Sequence, residues 1–377
     1  MRNRLRVLFQ FSAIFGLLVA SSRAQVCIDG VTTLTAATVE QARAVLGKVD
    51  GSLQEKSLWE CGAQMGEVKE VDRETYAKYT ADCALEWTPE ERAGLIETFN
   101  ALSGLLKPYA HLFPREVFII KTDGREEYGG AYTRQNAVII ERPPAGAGGR
   151  RAGGARADGG TTLTGGGRGP RRGDAATTGT RGVGRRGGRG GGGVGVGLLA
   201  HELFHVLSRH NPGVRDRIYA ALGFEFCGPL QWPAPLERTR IANPDAPINQ
   251  HWIDVTLGGE PHKAMPVIYA RTERYGIDVN GSLGQFMELR LLMVKKSPDG
   301  KGVVAEMKDG KPLESAATEV QGLYEKIGRN TNYIIHPEET AADNFAILVQ
   351  GRPAQTPEII EKIKAVLLTP AAPAAQR

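Results

Sequence analysis

Residues 198–212 read LLAHELFHVLSRHNP. Within them His201, Glu202 and His205 make the pattern H-E-x-x-H. On a helix, side chains four residues apart lie nearly one above the other, so the two imidazoles can reach a single Zn²⁺. Glu202 stands about 100° round the same cylinder, within reach of a water in the metal's open position, whose proton it can take. Leu199, Leu203, Val206 and Leu207 fall on the side away from the histidines and give the helix a face to bury. Asn211-Pro212-Gly213 ends it, because the residue before a proline avoids helical geometry. The competing reading is two ordinary histidines on a core helix. Only seven histidines occur in 377 residues, and the apolar stripe, the helix stop and the histidine pair all agree, which favours the metal.

Immediately before this helix the composition changes. Residues 143–197 hold 23 glycines and 10 arginines among 55 positions, with almost no large apolar side chain. Such a stretch cannot bury enough surface to offset the entropy of ordering it, and disorder is expected. Ten arginines less two aspartates give it +8, against +5 for the whole chain, so the remainder carries about −3 and is not basic. Arginine–glycine tracts bind phosphate backbones. No aromatic residue is interleaved here to stack on bases, so nucleic acid is not an expected partner.

The other end of the chain's organisation is its start. Arg2, Arg4 and Arg6, an apolar run over residues 7–20 and Ser22-Arg23-Ala24 form the pattern of an export signal cut after Ala24. The expected product is periplasmic or secreted, with no stable membrane span once residues 1–24 are gone. That compartment permits disulfides. Cys27, Cys61, Cys83 and Cys227 allow three pairings; Cys61 with Cys83 closes the short loop. The absence of a C-x-x-C pair argues against a thiolate zinc site.

Between these ends the periodicities predict a helix over residues 36–47 and helical turns within 73–84. A strong helix starts at Thr88-Pro89-Glu90-Glu91 and runs to about Leu106, burying Leu95, Ile96, Phe99, Leu102 and Leu106. Strands follow over residues 116–121 and 131–141. Val138 to Glu141 is the candidate for an open sheet edge where an extended peptide pairs by its backbone. After a second short helix (214–222) and a proline-rich loop (230–247), strands over 251–257, 264–271, 285–295 and 303–307 make a β-rich block. Helices are expected over 313–327 and 356–368, and the tail 370–377 should fray.

A catalytic zinc needs three protein ligands and an open position. His210 lacks the spacing of a histidine-completed site, since Ser208 and Asn211 stand where glycine and histidine should, and it projects onto the apolar side. Glu225 lies 24 residues after His201 but in a segment with strand or loop character. Glu339 lies in HPEETAADNF (336–345), where proline and two acids announce a helix. Glu339, Ala342, Asp343 and Ala346 share one stripe of it, and the alanines allow close approach to the histidine helix.

H-E-x-x-H followed far downstream by E-x-x-A-D resembles the gluzincin zinc metallopeptidases. The resemblance implies that His201, His205 and Glu339 bind one catalytic Zn²⁺. It makes Glu202 general base and acid, and Asp343 the aspartate that hydrogen-bonds a ligating histidine and fixes its tautomer. It departs from the family in the 134 residues between His205 and Glu339 and in the glycine–arginine tract. The expected class is α+β: a zincin-like metallopeptidase domain with a β-rich insertion between its two zinc-ligand helices and a disordered Gly/Arg-rich segment. In chain order this is a signal peptide (1–24), a helix-and-strand part (25–142), the tract (143–197), the active-site helices (198–229), the insertion (230–312), a helical part with the third ligand (313–369) and the tail. The expected activity is hydrolysis of peptide bonds in a peptide or protein substrate, with the oxyanion donor open among Tyr333, His336, His262 and Tyr275. Two alternatives belong to other classes: a zincin-fold binding or scaffolding protein without catalysis, and anionic-surface or nucleic-acid binding through the tract.

Overall fold

The computed structural model describes residues 25–127, 130–141, 195–272 and 287–369. The expected signal peptide, nearly all of the glycine–arginine tract, Tyr275 and the tail lie outside the described residues.

The first described residues form a strand pair where the sequence showed no strand signal. β1 (Gln25–Ile28) folds back on β2 (Thr32–Ala36). Four short helices follow, each started by a side-chain oxygen on its first-turn N–H groups. They are α1 (Val39–Leu46, cap Thr38), α2 (Gly51–Glu55, cap Asp50), α3 (Leu58–Gln64, cap Ser57) and α4 (Arg73–Asp82, cap Asp72). After β3 (Ala84–Leu85), Thr88 and Glu91 close the expected capping box on α5 (Pro89–Leu106). Its buried stripe is Leu95, Phe99, Leu102 and Leu106; Ile96, expected inside, is exposed. The sheet is completed by β4 (Glu116–Thr122), β5 (Tyr132–Arg134) and β6 (Ala137–Glu141).

Strand order is β1-β2-β4-β6-β5, with β2, β4 and β6 parallel and β5 antiparallel at the rim. Two expectations change here. The run 131–141 is not one strand but a hairpin, turned by Gln135 (φ 51°) and Asn136; a Gln-Asn turn lacks the glycine that usually announces one. The free edge belongs to β5, because β6 has β4 on one side and β5 on the other. The β-branched run of β6 fits that interior place.

The histidine helix α6 runs Val196–His210, taking in Val196 and Gly197 from the end of the tract. Asn211 ends it and begins α7 (Pro212–Ala221). The β-rich block then forms a second sheet from β7 (Phe224–Phe226), β8 (Leu230–Gln231), β9 (His251–Leu257), β10 (Glu260–Ala270), β11 (Met287–Lys296) and β12 (Val303–Ala305). Its order is β7-β9-β10-β11-β12-β8, and a short α8 (Ala234–Glu237) lies in the loop before β9. The β9–β10 turn uses Gly258 (φ 61°) and Gly259 (φ 93°), the left-handed pair that a tight hairpin requires. β13 (Met307–Lys308) pairs β14 (Lys311–Pro312), and β15 (Glu314–Ser315) pairs β11. The helix expected over 313–327 is therefore only α9 (Leu323–Ile327). Residues 314–315 are taken up by the sheet, and Gly322 in the left-handed region (φ 87°) precedes the helix. α10 (Pro337–Gln350) and α11 (Pro357–Leu368) complete the chain.

The architecture is mixed α and β, and its largest core lies between α5, α6, α7, α10, α11, one face of the first sheet and residues of β9, β10 and β11. α6 buries Leu199, Leu203, Val206 and Leu207 as its stripe predicts. On the stripe of α10 that carries Glu339, Ala342 and Ala346 are buried, and Phe204 meets Phe345 at 5.4 Å between ring centroids. All four cysteines are free thiols. Cys61 packs with Leu53, Val71 and Tyr76, and the expected bridge to Cys83 is not formed. Among the described residues no helix is long and apolar enough to cross a membrane.

One loop segment joins the two sheets. Residues 239–245 run from the second sheet, where Ile241 N–H donates to Ile268 O at 2.9 Å, to the first half of the chain. Ser57 donates to Arg240 O at 2.9 Å, Ser52 donates to Pro244 O at 3.1 Å, and Ala242 N–H donates to Glu60 Oε2 at 3.0 Å. Glu60 is itself held by fully buried Lys56, whose ammonium also bonds Glu127 at 3.0 Å. Breaking such a buried set strands charges, which is strongly destabilising.

Phe345→Ala should lower stability by about 3–5 kcal/mol in chemical denaturation. A loss under about 1 kcal/mol would place the weight of the α6–α10 contact elsewhere.

Candidate metal centre

The packing of α6 on α10 decides which polar atoms meet. His201 Nε2 lies 3.1 Å from Glu339 Oε2, and His205 Nε2 lies 3.6 Å from the same oxygen. The two rings stand at 82° to one another, 4.8 Å between centroids. Each ring's other nitrogen has a carboxylate partner. His201 Nδ1 is 2.8 Å from Asp343 Oδ1, and His205 Nδ1 is 3.0 Å from Glu338 Oε1. With Nδ1–H donating to a carboxylate, the lone pair is left on Nε2, the tautomer a metal ligand needs.

The carboxylates are held in turn. Asn243 Nδ2 donates to Glu339 Oε1 at 2.7 Å, leaving Oε2 for the histidine side. Glu338 accepts from the hydroxyls of Ser208 and Tyr219. Asp343 Oδ2 accepts from Thr331, whose oxygen also takes the Tyr333 N–H at 2.9 Å. Tyr333 lies over His201 at 6.1 Å between centroids and 29° between planes.

These donors suit a metal. Three ligand atoms of His201, His205 and Glu339 lie within 4.8 Å of one another. Bonds of 2.0–2.1 Å in a tetrahedral zinc site would separate neighbouring ligand atoms by about 3.3 Å, and the separations here are 3.1 and 3.6 Å. His205 Nε2 is buried and has no hydrogen-bond partner, an orphan that a metal would satisfy. The electrostatics agree. Glu202, Asp245, Glu338, Glu339 and Asp343 crowd around two imidazoles, an excess of negative charge that a dication would offset. Burial opposes the charged forms of His205 and Glu339. At His205 it is outweighed by Asp245 and Glu339, which hold the imidazole up at about 9. At Glu339 the two histidines and Asn243 outweigh it and hold the carboxyl down at about 2.

Glu202 is 3 % exposed, with Oε2 unpartnered. Burial, with Asp245 nearby, pushes its carboxyl up to about 7. A carboxyl poised there can both accept and return a proton near neutral pH.

The residues singled out in the sequence are thus partly brought together. His201, Glu202, His205, Glu339, Asp343 and Tyr333 share one site. His336 is buried one turn away; its Nδ1 accepts the Glu338 N–H at 3.1 Å as the cap of α10, and burial lowers it to about 4. His210 is exposed and not on the apolar side as expected. Glu225 sits on β7 with Trp252 and Lys263, and His262 pairs with Glu306 at 3.1 Å; neither belongs to the site. Missed altogether were Glu338, Asn243, Asp245, Ser208 and Tyr219. Glu338 reads as one more acid at a helix start, and Asn243 and Asp245 lie in a loop with no periodicity to flag them.

Glu338→Gln and Asp343→Asn should each weaken zinc affinity about 10- to 100-fold, measured by competition with a chromophoric chelator. Unchanged affinity in both would remove these carboxylates from the metal's support.

No family model matches the chain, and no curated protein and no solved structure matches it to significance.

Proposed function

We propose that the protein is an exported zinc-dependent metallopeptidase of zincin type, with His201, His205 and Glu339 as metal ligands. The observation that carries the reading is the convergence of two imidazole Nε2 atoms and Glu339 Oε2, each imidazole held from behind by a carboxylate. Bound there, zinc would supply Lewis acidity, polarising a carbonyl and lowering the pKa of water.

The rest is the work of the chain's own groups. Glu202 takes a proton from the attacking water on its unpartnered Oε2 and passes it to the leaving amine nitrogen. Asp343 and Glu338 hold the Nδ1 side of each imidazole, so that Nε2 is the nitrogen turned to the metal. Tyr333, whose ring lies over that of His201, is the donor we assign to the developing oxyanion. Burial, then the negative charge of Glu339 and Asp245, keeps that phenol protonated well above its ordinary range, so it remains a donor at any physiological pH. A site whose metal only held the fold together would have no use for the buried, unpartnered carboxyl of Glu202.

The test is metal analysis together with hydrolysis of an unstructured protein. Wild type should bind one zinc per chain. Glu202→Gln should keep it and lose about 10²-fold or more in turnover, whereas Glu339→Gln should lose the zinc. Equal zinc in wild type and Glu339→Gln removes Glu339 from the site, and full activity in Glu202→Gln removes the general base.

A further inference from the structure

The segment that carries Asn243 also runs along the free edge of β5. Thr133 belongs to that edge strand, and its backbone N–H is a group that an incoming extended peptide would pair with. Here it donates to Asp245 Oδ1 at 2.7 Å, and the Thr133 hydroxyl donates to the same oxygen at 2.6 Å. Arg209 closes the seam, donating to Gln135 O at 2.8 Å and to Asp245 O at 3.0 Å. A long substrate cannot add as a strand along β5 without displacing these bonds.

The same carboxylate faces the metal centre. One of its oxygens lies within 4.8 Å of a Glu202 carboxylate oxygen and of a His205 ring nitrogen. Among the described residues no group bonds Oδ2, and Asp245 is half-buried where Glu202 is buried. The cleft therefore presents two carboxylates, and proton transfer needs only Glu202.

We propose, resting on the metallopeptidase reading above, that Asp245 binds the free α-ammonium group of the substrate, which makes the enzyme an aminopeptidase for peptides with an unblocked amino terminus. Covalent geometry supports this cation over others. The α-nitrogen of a residue lies about 2.5 Å from its own carbonyl carbon, so a carbonyl seated beside Glu202 and His205 brings its ammonium to Asp245. A lysine side chain carries its charge at the end of a four-carbon stem, too far from the carbonyl being attacked. For an internal residue the same position holds a neutral amide, and the chain upstream of it would run into the Asp245–Thr133 seam. Asp245 thus both shuts the strand edge and reads the chain end.

The test compares two peptides identical except for amino-terminal acetylation, using zinc-loaded wild type and Asp245→Asn. Zinc content is measured in both proteins, and peptide binding is measured by calorimetry on Glu202→Gln. Wild type should favour the free peptide by about 100-fold in kcat/KM, the scale of a lost buried charge pair. Glu202→Gln should bind it correspondingly more tightly than the acetylated form. Asp245→Asn should keep one zinc and erase the preference, mainly through KM. Equal cleavage of both peptides by wild type overturns the proposal and leaves the metallopeptidase reading standing. Loss of zinc from Asp245→Asn makes Asp245 a metal ligand and also overturns it. Cleavage of neither peptide by the zinc-loaded wild type removes both readings.

Discussion

The structure depends on one approach between two helices. α6 and α10 bring His205 and Glu339, 134 residues apart in the chain, within 3.6 Å of each other. That is possible because α10 carries small, buried Ala342 and Ala346 on the stripe of Glu339, with Phe204 and Phe345 in ring contact beside them. Larger side chains at Ala342 or Ala346 would separate the helices and pull the imidazoles away from the carboxylate. The apolar contact is what allows so many charged groups to be buried at one place.

That charge is managed in layers. Each imidazole is backed by a carboxylate, and each carboxylate by a hydroxyl or amide: Ser208 and Tyr219 for Glu338, Thr331 for Asp343, Asn243 for Glu339. Buried networks of this kind are rigid when satisfied and damaging when broken. The loop through Asn243 and Asp245 joins the layers to the rest of the fold. It is pinned to α2 and α3 through Ser52, Ser57 and the Lys56–Glu60 pair, and to the edge of β5 through Thr133. The loop between β8 and β9 thereby supplies a group, Asn243, that orients a proposed ligand.

Elements with a strong local signal were legible in the sequence. The capping box of α5, the apolar stripe of α6, the Gly258-Gly259 hairpin and the Pro337-Glu338-Glu339 helix start all depend on neighbours within a few residues. So did His201, Glu202 and His205, whose spacing is itself helical. What escaped depended on distant partners. β1 and β2 are strands because β4 lies alongside β2, and the Gln135-Asn136 turn gives a hairpin without glycine. The helix expected over 313–327 shortened because β11 needed a partner at Ser315. Asn243 and Asp245 acquire their roles only when the loop folds across β5. Glu338 was hidden by its neighbour, since adjacent acids at a helix start look interchangeable until one backs His205 and the other faces both imidazoles.

The central claim is that two imidazole nitrogens and one carboxylate oxygen, with no sulfur, surround a metal between α6 and α10. X-ray absorption at the zinc edge of the loaded protein tests it most directly. The account predicts a nitrogen and oxygen shell at about 2.0–2.1 Å with imidazole scattering from two rings. A sulfur shell at about 2.3 Å, placing the zinc on the free cysteines, would contradict it.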